Sequence, residues 1–191
     1  MELSPAIYHK IIRPKWINQI YIHNRIRKHY DLYDKSVLDF GAGTGANCTL
    51  CKPGQYFGID PDEKRINFAQ KLYPDYDFSV FQNDKISVEN GTIDVILIIA
   101  VLHHIPSEKM KKYMEQFRKI LAPGGIILAI EPCYFKGNRI SNWYMKNNDN
   151  GSYIQNEQGY HDLFKREGFN CETIESFKKC FFYNELFLMA Y

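Results

Sequence analysis

Several features are missing from this sequence, and each absence removes a class of protein. No uninterrupted apolar run is longer than eight residues, at 95–102, whereas a bilayer span needs about 20. No membrane span is expected, and no apolar core of signal-peptide length precedes the first elements. Neither sign of charge dominates: 24 Lys and Arg face 22 Asp and Glu, which argues against a nucleic-acid coat and against an acidic tail. The five cysteines, Cys48, Cys51, Cys133, Cys171 and Cys180, are odd in number and form no dense framework. Free thiols in a reducing, cytoplasmic setting are expected. Cys48-x-x-Cys51 lacks a second pair and a histidine cluster, so two ordinary thiols are expected and no metal site. No internal repeat and no low-complexity tract occurs, and the polar run 147–151 marks a flexible loop.

What is present supports a substantial core in one domain: 45% of residues are hydrophobic and 15% aromatic. Apolar residues at helical spacing, from Ile7 and Ile11 to Ile20 and Ile26, predict helix over 4–30 with a break at Arg13-Pro14. The spacing then predicts strands at 36–40, 56–60, 77–81, 93–101 and 126–131. Helices are expected from Ala46 to Pro53, from Pro61 to Pro74 and over 107–121, with Pro123-Gly124-Gly125 as a turn. Residues 132–156 read as a long, irregular, aromatic-bearing insertion. A helix over 157–167, with Gly168 as its C′ residue, and an antiparallel pair at 170–176 and 180–191 complete the chain. Alternating strands and helices with short connections imply an α/β, doubly wound, mostly parallel sheet.

The most telling stretch is Val37-Leu38-Asp39-Phe40-Gly41-Ala42-Gly43-Thr44-Gly45, a buried strand running into a glycine turn, followed by the strand end Gly58-Ile59-Asp60-Pro61. Glycines let a backbone approach a ligand closely, and a carboxylate on the neighbouring strand can accept from both hydroxyls of a ribose. By spacing alone, Gly41, Gly43, Ala46 and Asp60 also satisfy a dinucleotide fingerprint. Asp39 within the strand argues against that reading, as does the short chain left for a second domain.

Further segments fall in register: Asn83-Asp84, Ile93-Asp94-Val95-Ile96, Ala100-Val101-Leu102-His103-His104-Ile105 and Leu121-Ala122-Pro123-Gly124-Gly125. With these, residues 36–131 resemble the class I S-adenosylmethionine-dependent methyltransferases, most closely the small-molecule branch typified by quinone-biosynthesis (type 11) enzymes. The resemblance implies a Rossmann-like sheet of seven strands with an antiparallel final strand, and S-adenosylmethionine as cofactor. It divides a single methyltransferase domain, 1–191, into an N-terminal helical cap (1–35), a cofactor-binding core (36–131), a lid-like insertion (132–156) and a final helix with its strand pair (157–191). It also assigns roles. Gly41, Gly43 and Gly45 pass close to the methionine portion, Asp39 orients their loop, and Asp60 accepts from the ribose. Asp84 accepts from the adenine amino group, and Pro61, Ile86 and Val101 enclose the ring. The plainer reading makes the glycines an ordinary turn and Asp60 a helix N-cap.

If the acceptor must lose a proton, His103, His104 and Glu131 are the candidate bases at the ligand edge. Equally, the histidines shape the pocket or cap the next helix. Tyr8, His9, Trp16 and Tyr21 of the N-terminal helices, with Tyr134, Phe135, Trp143, Tyr144 and Tyr153 of the insertion, either form an aromatic lid for a flat or apolar small-molecule acceptor or simply pack. Residues 1–35 hold seven Lys and Arg against three acids, a net +4 that leaves −2 for the remainder. That segment keeps RNA methylation open as a minority reading. Pro132-Cys133 recurs in RNA cytosine-5 methyltransferases, but their fourth-strand Pro-Cys motif is absent. A non-catalytic protein that binds S-adenosylmethionine or S-adenosylhomocysteine is the remaining alternative.

Overall fold

A computed structural model describes residues 15–191. The expected elements at Ser4-Pro5, Ile7, Tyr8, His9, Ile11 and Arg13-Pro14 lie outside the described residues. The chain enters through α1 (Lys15–Asn18), a π-helical turn (Gln19–His23) and α2 (Asn24–His29). Next come β1 (Val37–Phe40), β2 (Tyr56–Asp60), α3 (Glu63–Leu72), β3 (Asp77–Val80) and β4 (Ile93–Ile99). The remainder comprises α4 (Ser107–Ile120), β5 (Leu121–Tyr134), α5 (Arg139–Asn148), β6 (Gln155–Asn156), α6 (Glu157–Arg166), β7 (Cys171–Lys179) and β8 (Tyr183–Ala190).

The sheet order is β3-β2-β1-β4-β5-β8-β7, with the two-residue β6 pairing β5 off this path. Strands β1 to β5 are mutually parallel, and β8 runs antiparallel to both β5 and β7. The expected seven-stranded sheet is therefore present, with a short eighth strand added. Side chains alternate across β4: Ile96 and Ile98 join one core, while Val95, Leu97 and Ile99 join the other. The first core is covered by Met114 and Phe117 of α4 and by Tyr160 and Phe164 of α6. The second is covered by Ile22 and Ile26 of the N-terminal helices and by Ile66 and Ala69 of α3. Burial of both faces explains why β4 reads as a continuous apolar run rather than as an alternation.

Three local expectations change. The helix expected from Ala46 is only a 3-10 turn, Cys48–Leu50; the few residues before Pro53 cannot repay helix nucleation. The insertion is not irregular. β5 runs on through Tyr134, and α5 follows, burying Ser141 and Met145 one turn apart. Pro123-Gly124-Gly125 lies inside β5 as a bulge: Leu121 pairs Ile93 and Ile126 pairs Val95, and Gly124 takes φ +78°.

Candidate functional site

The sheet order reverses between β1 and β4, and the carboxyl ends of these strands open a crevice there. A cavity of about 680 Å³ occupies it, lined by the loop after β1, the end of β2 and the turn after β4. This volume suits a ligand of nucleoside size with room to spare. Of the sequence-selected residues, Gly41, Gly43, Asp60, Pro61, Asp84, Val101 and His104 line it; Asp39, Gly45, Ile86, His103 and Glu131 do not.

The glycine loop is built for close approach. Gly41 takes φ +83°, and a Cβ there would stand 2.4 Å from Val101 Cγ2. The Gly43 amide donates to Asp60 Oδ2 at 2.9 Å, tying the loop to the tip of β2. Gly45 faces away from the cavity, where a Cβ would collide with Phe78 at 2.7 Å. Asp39 is fully buried behind the loop and accepts from Tyr56 Oη at 2.6 Å and from Asn47 Nδ2 at 3.2 Å. It shapes the loop from beneath and does not touch the cavity.

Asp60 is 5% exposed, and the Asp62 amide donates to its Oδ1 at 2.9 Å. Burial pushes its carboxyl upward, while the Asp62 and Gly43 amides and the Arg65 charge pull it back. The N-cap of α3 is Asp62, whose side chain accepts from the Lys64 and Arg65 amides, and not Asp60. Two carboxylate oxygens with lone pairs to spare, beside a loop that lacks Cβ atoms at Gly41 and Gly43, fit a ribose with adjacent hydroxyls.

Across the cavity, Asn83 and Asp84 both take left-handed backbone, φ 56° and 52°. Tyr113 Oη donates to Asp84 at 2.6 Å, and Lys109 lies at 3.3 Å. The Tyr113 hydrogen bond, with the Lys109 and Lys112 charges, holds the Asp84 carboxyl below its usual range despite some desolvation. Gln116 locks the segment by accepting from the Ile86 amide at 2.8 Å and donating to the Asp84 carbonyl at 2.9 Å. Ile86 is thereby drawn into the core and does not line the cavity. Phe40, Phe81, Ile105 and Tyr113 supply apolar wall that sequence reasoning missed. Their only signal was proximity to the strand ends.

The three candidate bases separate. Glu131 is fully buried. Its Oε1 accepts from the Val101 and Leu102 amides at 2.8 and 2.9 Å, and its Oε2 contacts His103 Nδ1 at 2.7 Å. It clamps the turn after β4, with no oxygen on the cavity. His103 is buried too, with Nε2 3.5 Å from Asp149 Oδ1. Burial opposes its charge, but the Glu131 hydrogen bond and the charges of Glu131, Asp149 and Glu185 outweigh that and raise it above the ordinary histidine value. The carbonyl of His103 also accepts from the Tyr153 amide at 3.0 Å, so this residue fastens the loop after α5 to the sheet. His104 is exposed and faces the cavity.

None of Tyr134, Phe135, Trp143, Tyr144 and Tyr153 lines the cavity; from the insertion only Asn150 does. Trp16 is exposed, and Tyr21 packs on the opposite core, so the described part of the N-terminal helices does not close over the site. Burial pushes the Cys48, Cys51 and Cys133 thiols up to about 12, far from thiolate chemistry.

The chain is similar to known proteins in sequence and in fold. A family model described as a methyltransferase domain matches residues 18–174. The tRNA N(3)-cytidine methyltransferase METTL2 of Danio rerio is 31% identical over 157 residues, covering 69% of this chain and 44% of that protein. An uncharacterized methyltransferase of Oceanobacillus iheyensis, OB1106, is 29% identical over 119 residues, covering 56% and 54%. The ubiquinone/menaquinone biosynthesis C-methyltransferase UbiE of Campylobacter jejuni is 22% identical, covering 56% and 48%. The chain thus spans about half the length of the curated relatives it matches. Among solved structures, a SAM-dependent methyltransferase from Archaeoglobus fulgidus superposes with a TM-score of 0.75 at 14% identity, covering 99% of both chains. Magnesium protoporphyrin IX methyltransferase from Synechocystis, with bound SAH, superposes at 0.64 and 15% identity, covering 92% and 81%.

Proposed function

This chain belongs to the methyltransferase domain family, and we propose that it transfers the methyl group of S-adenosylmethionine to a small-molecule acceptor. One observation carries the reading: the buried carboxylate of Asp60 opens onto the cavity beside a glycine loop pinned to it. When bound, S-adenosylmethionine supplies a methyl already activated by its sulfonium. The protein's share is alignment and exclusion of water, which can contribute about 7–11 kcal/mol through effective molarity. Asp60 accepts from the ribose hydroxyls. Asp84 accepts from the adenine amino group, with Phe81, Pro61 and Val101 around the ring. Gly41 and Gly43 let the backbone approach the methionine portion, and Asp39 sets their loop from below. His104, exposed on the cavity wall, takes the proton where the acceptor must shed one. Glu131 and His103 act as positioning residues.

An apolar or aromatic acceptor suits the walls contributed by Ile105 and Pro106 beside His104. The likeness to UbiE, whose name specifies quinone biosynthesis, supports the same choice. The likeness to METTL2 favours RNA. Against RNA, two of the described cations of the basic N-terminal segment are already engaged, while Lys28 and Lys35 stay exposed. Arg25 pairs with Glu175 at 3.4 Å and lies 3.8 Å from the Phe177 ring centroid, and Arg27 donates to the Thr49 carbonyl. Lys10 and Arg13 lie outside the described residues.

Calorimetry with S-adenosylmethionine, S-adenosylhomocysteine and NAD, followed by release of S-adenosylhomocysteine with quinol-like acceptors and with tRNA transcripts, tests the proposal. Binding of the first two ligands and turnover on a small acceptor are expected. Tighter NAD binding overturns the cofactor, turnover on tRNA alone overturns the acceptor, and binding without turnover on either leaves a non-catalytic binding protein.

A further inference from the structure

We propose that the face formed by α5 and the β7–β8 turn docks on an anionic lipid surface. Along α5, Ile140, Trp143 and Tyr144 share one side, at 71%, 66% and 40% exposure, while Ser141 and Met145 anchor the other. At the turn, Phe181 is 86% and Phe182 50% exposed. The Tyr144 and Phe182 rings lie 5.9 Å apart, so the two elements present one continuous apolar face. Cys180 and Phe181 both take left-handed backbone, φ 49° and 65°. That conformation is uncommon for a bulky side chain, and here it accompanies a phenyl ring held out in water.

The charge carried by the segments that build this face has one sign. Segments 134–148 and 177–183 contain Lys136, Arg139, Lys146, Lys178 and Lys179 and no Asp or Glu. Lys179 is committed to Glu185, and the other four are exposed. Apolar patches of this kind on a folded surface mark interaction sites. Trp, Tyr and Phe together with Lys and Arg are the side chains that settle at a lipid–water boundary, where the rings enter the headgroup layer and the cations meet anionic lipid. A single-stranded nucleic acid would use the rings and the cations but has no use for Ile140, which cannot stack on a base. Among the described residues no helix is long and apolar enough to cross a membrane, so the attachment would be interfacial.

The location adds a reason. β8 runs antiparallel to β5 with Glu185 opposite Pro132, so the β7–β8 turn projects from the carboxyl edge of the parallel strands. The cavity opens on that same edge, and Asn150, just past α5, forms part of its wall. A molecule resting on this face holds its cavity beside the lipid surface, whatever acceptor it uses.

Co-sedimentation of the full chain with vesicles of phosphatidylcholine, alone or mixed with phosphatidylglycerol, tests this. Partition into the mixed vesicles should exceed that into neutral ones by about tenfold and fall with salt. Trp143→Ser with Phe181→Ser should lower it about tenfold, and Lys136→Glu with Arg139→Glu and Lys146→Glu should abolish the anionic preference. Unchanged S-adenosylmethionine affinity and melting temperature certify that the variants fold. Failure to bind mixed vesicles at low salt overturns the proposal, as does binding unaffected by either variant. So does a dimer, or binding to single-stranded RNA, that these substitutions abolish while vesicle binding persists.

Discussion

Glu131 and His103 are joined at 2.7 Å inside the protein, and the same carboxylate holds the Val101 and Leu102 amides at the edge of the cavity. A residue of β5 and one of the turn after β4 therefore set the position of a wall that neither of them lines. This arrangement gives Glu131 a structural reading that differs from that of a base.

Glu131→Ala leaves two buried amides and a buried imidazole without their acceptor, and should cost about 3–5 kcal/mol in urea denaturation. Glu131→Gln keeps one carbonyl oxygen for the amides and should cost markedly less. A catalytic Glu131 would show the opposite: both variants near wild-type stability and equally inactive.

The His103 imidazole is raised above its unfolded value. Its contribution to stability is then fully present below the unfolded pKa of about 6.5 and is lost as pH rises through the folded value. The stability advantage of wild type over His103→Gln should be largest below about pH 6.5 and shrink as the pH rises above that value. A difference that is flat across this window would show that the buried imidazole does not carry the charge.

Asp60→Ala should weaken S-adenosylmethionine binding at least about tenfold, or about 1.4 kcal/mol. Asp60→Asn should lie between, since its amide oxygen still accepts. Unchanged calorimetric affinity in the alanine variant would remove Asp60 from the ribose.

Gly41→Ala places a Cβ 2.4 Å from Val101 Cγ2 at φ +83°. Both the clash and the left-handed backbone oppose it, and a loss of about 1–3 kcal/mol with weakened cofactor binding is expected. Adding Val101→Ala should restore part of the binding by removing the clash and leaving only the backbone term. No recovery in the double variant would assign the whole effect to backbone strain.

The sheet was legible because its signals are local. β4 announces its double burial through unbroken apolar residues, and the end of β2 announces itself through Gly58-Ile59-Asp60. The insertion was harder to read. Helix α5 buries only Ser141 and Met145, too sparse a stripe to stand out among exposed aromatics. None of its aromatic residues lines the cavity: Trp143 and Tyr144 are exposed, while Asn150 reaches the cavity wall. Ile86 was misplaced for a different reason: the Gln116 side chain, 30 positions away, captures its amide, and no spacing rule encodes such a contact.

By itself the sequence determined the order of the elements, the glycine loop and the carboxylate at the tip of β2, because backbone conformation and apolar periodicity act between near neighbours. Only the tertiary structure decided which polar residues face the cavity. Asp39, Glu131 and His103 are all drawn inside, where a buried charge must find hydrogen-bonding partners from distant strands and turns. Asp60, Asp84 and His104 remain at the open edge.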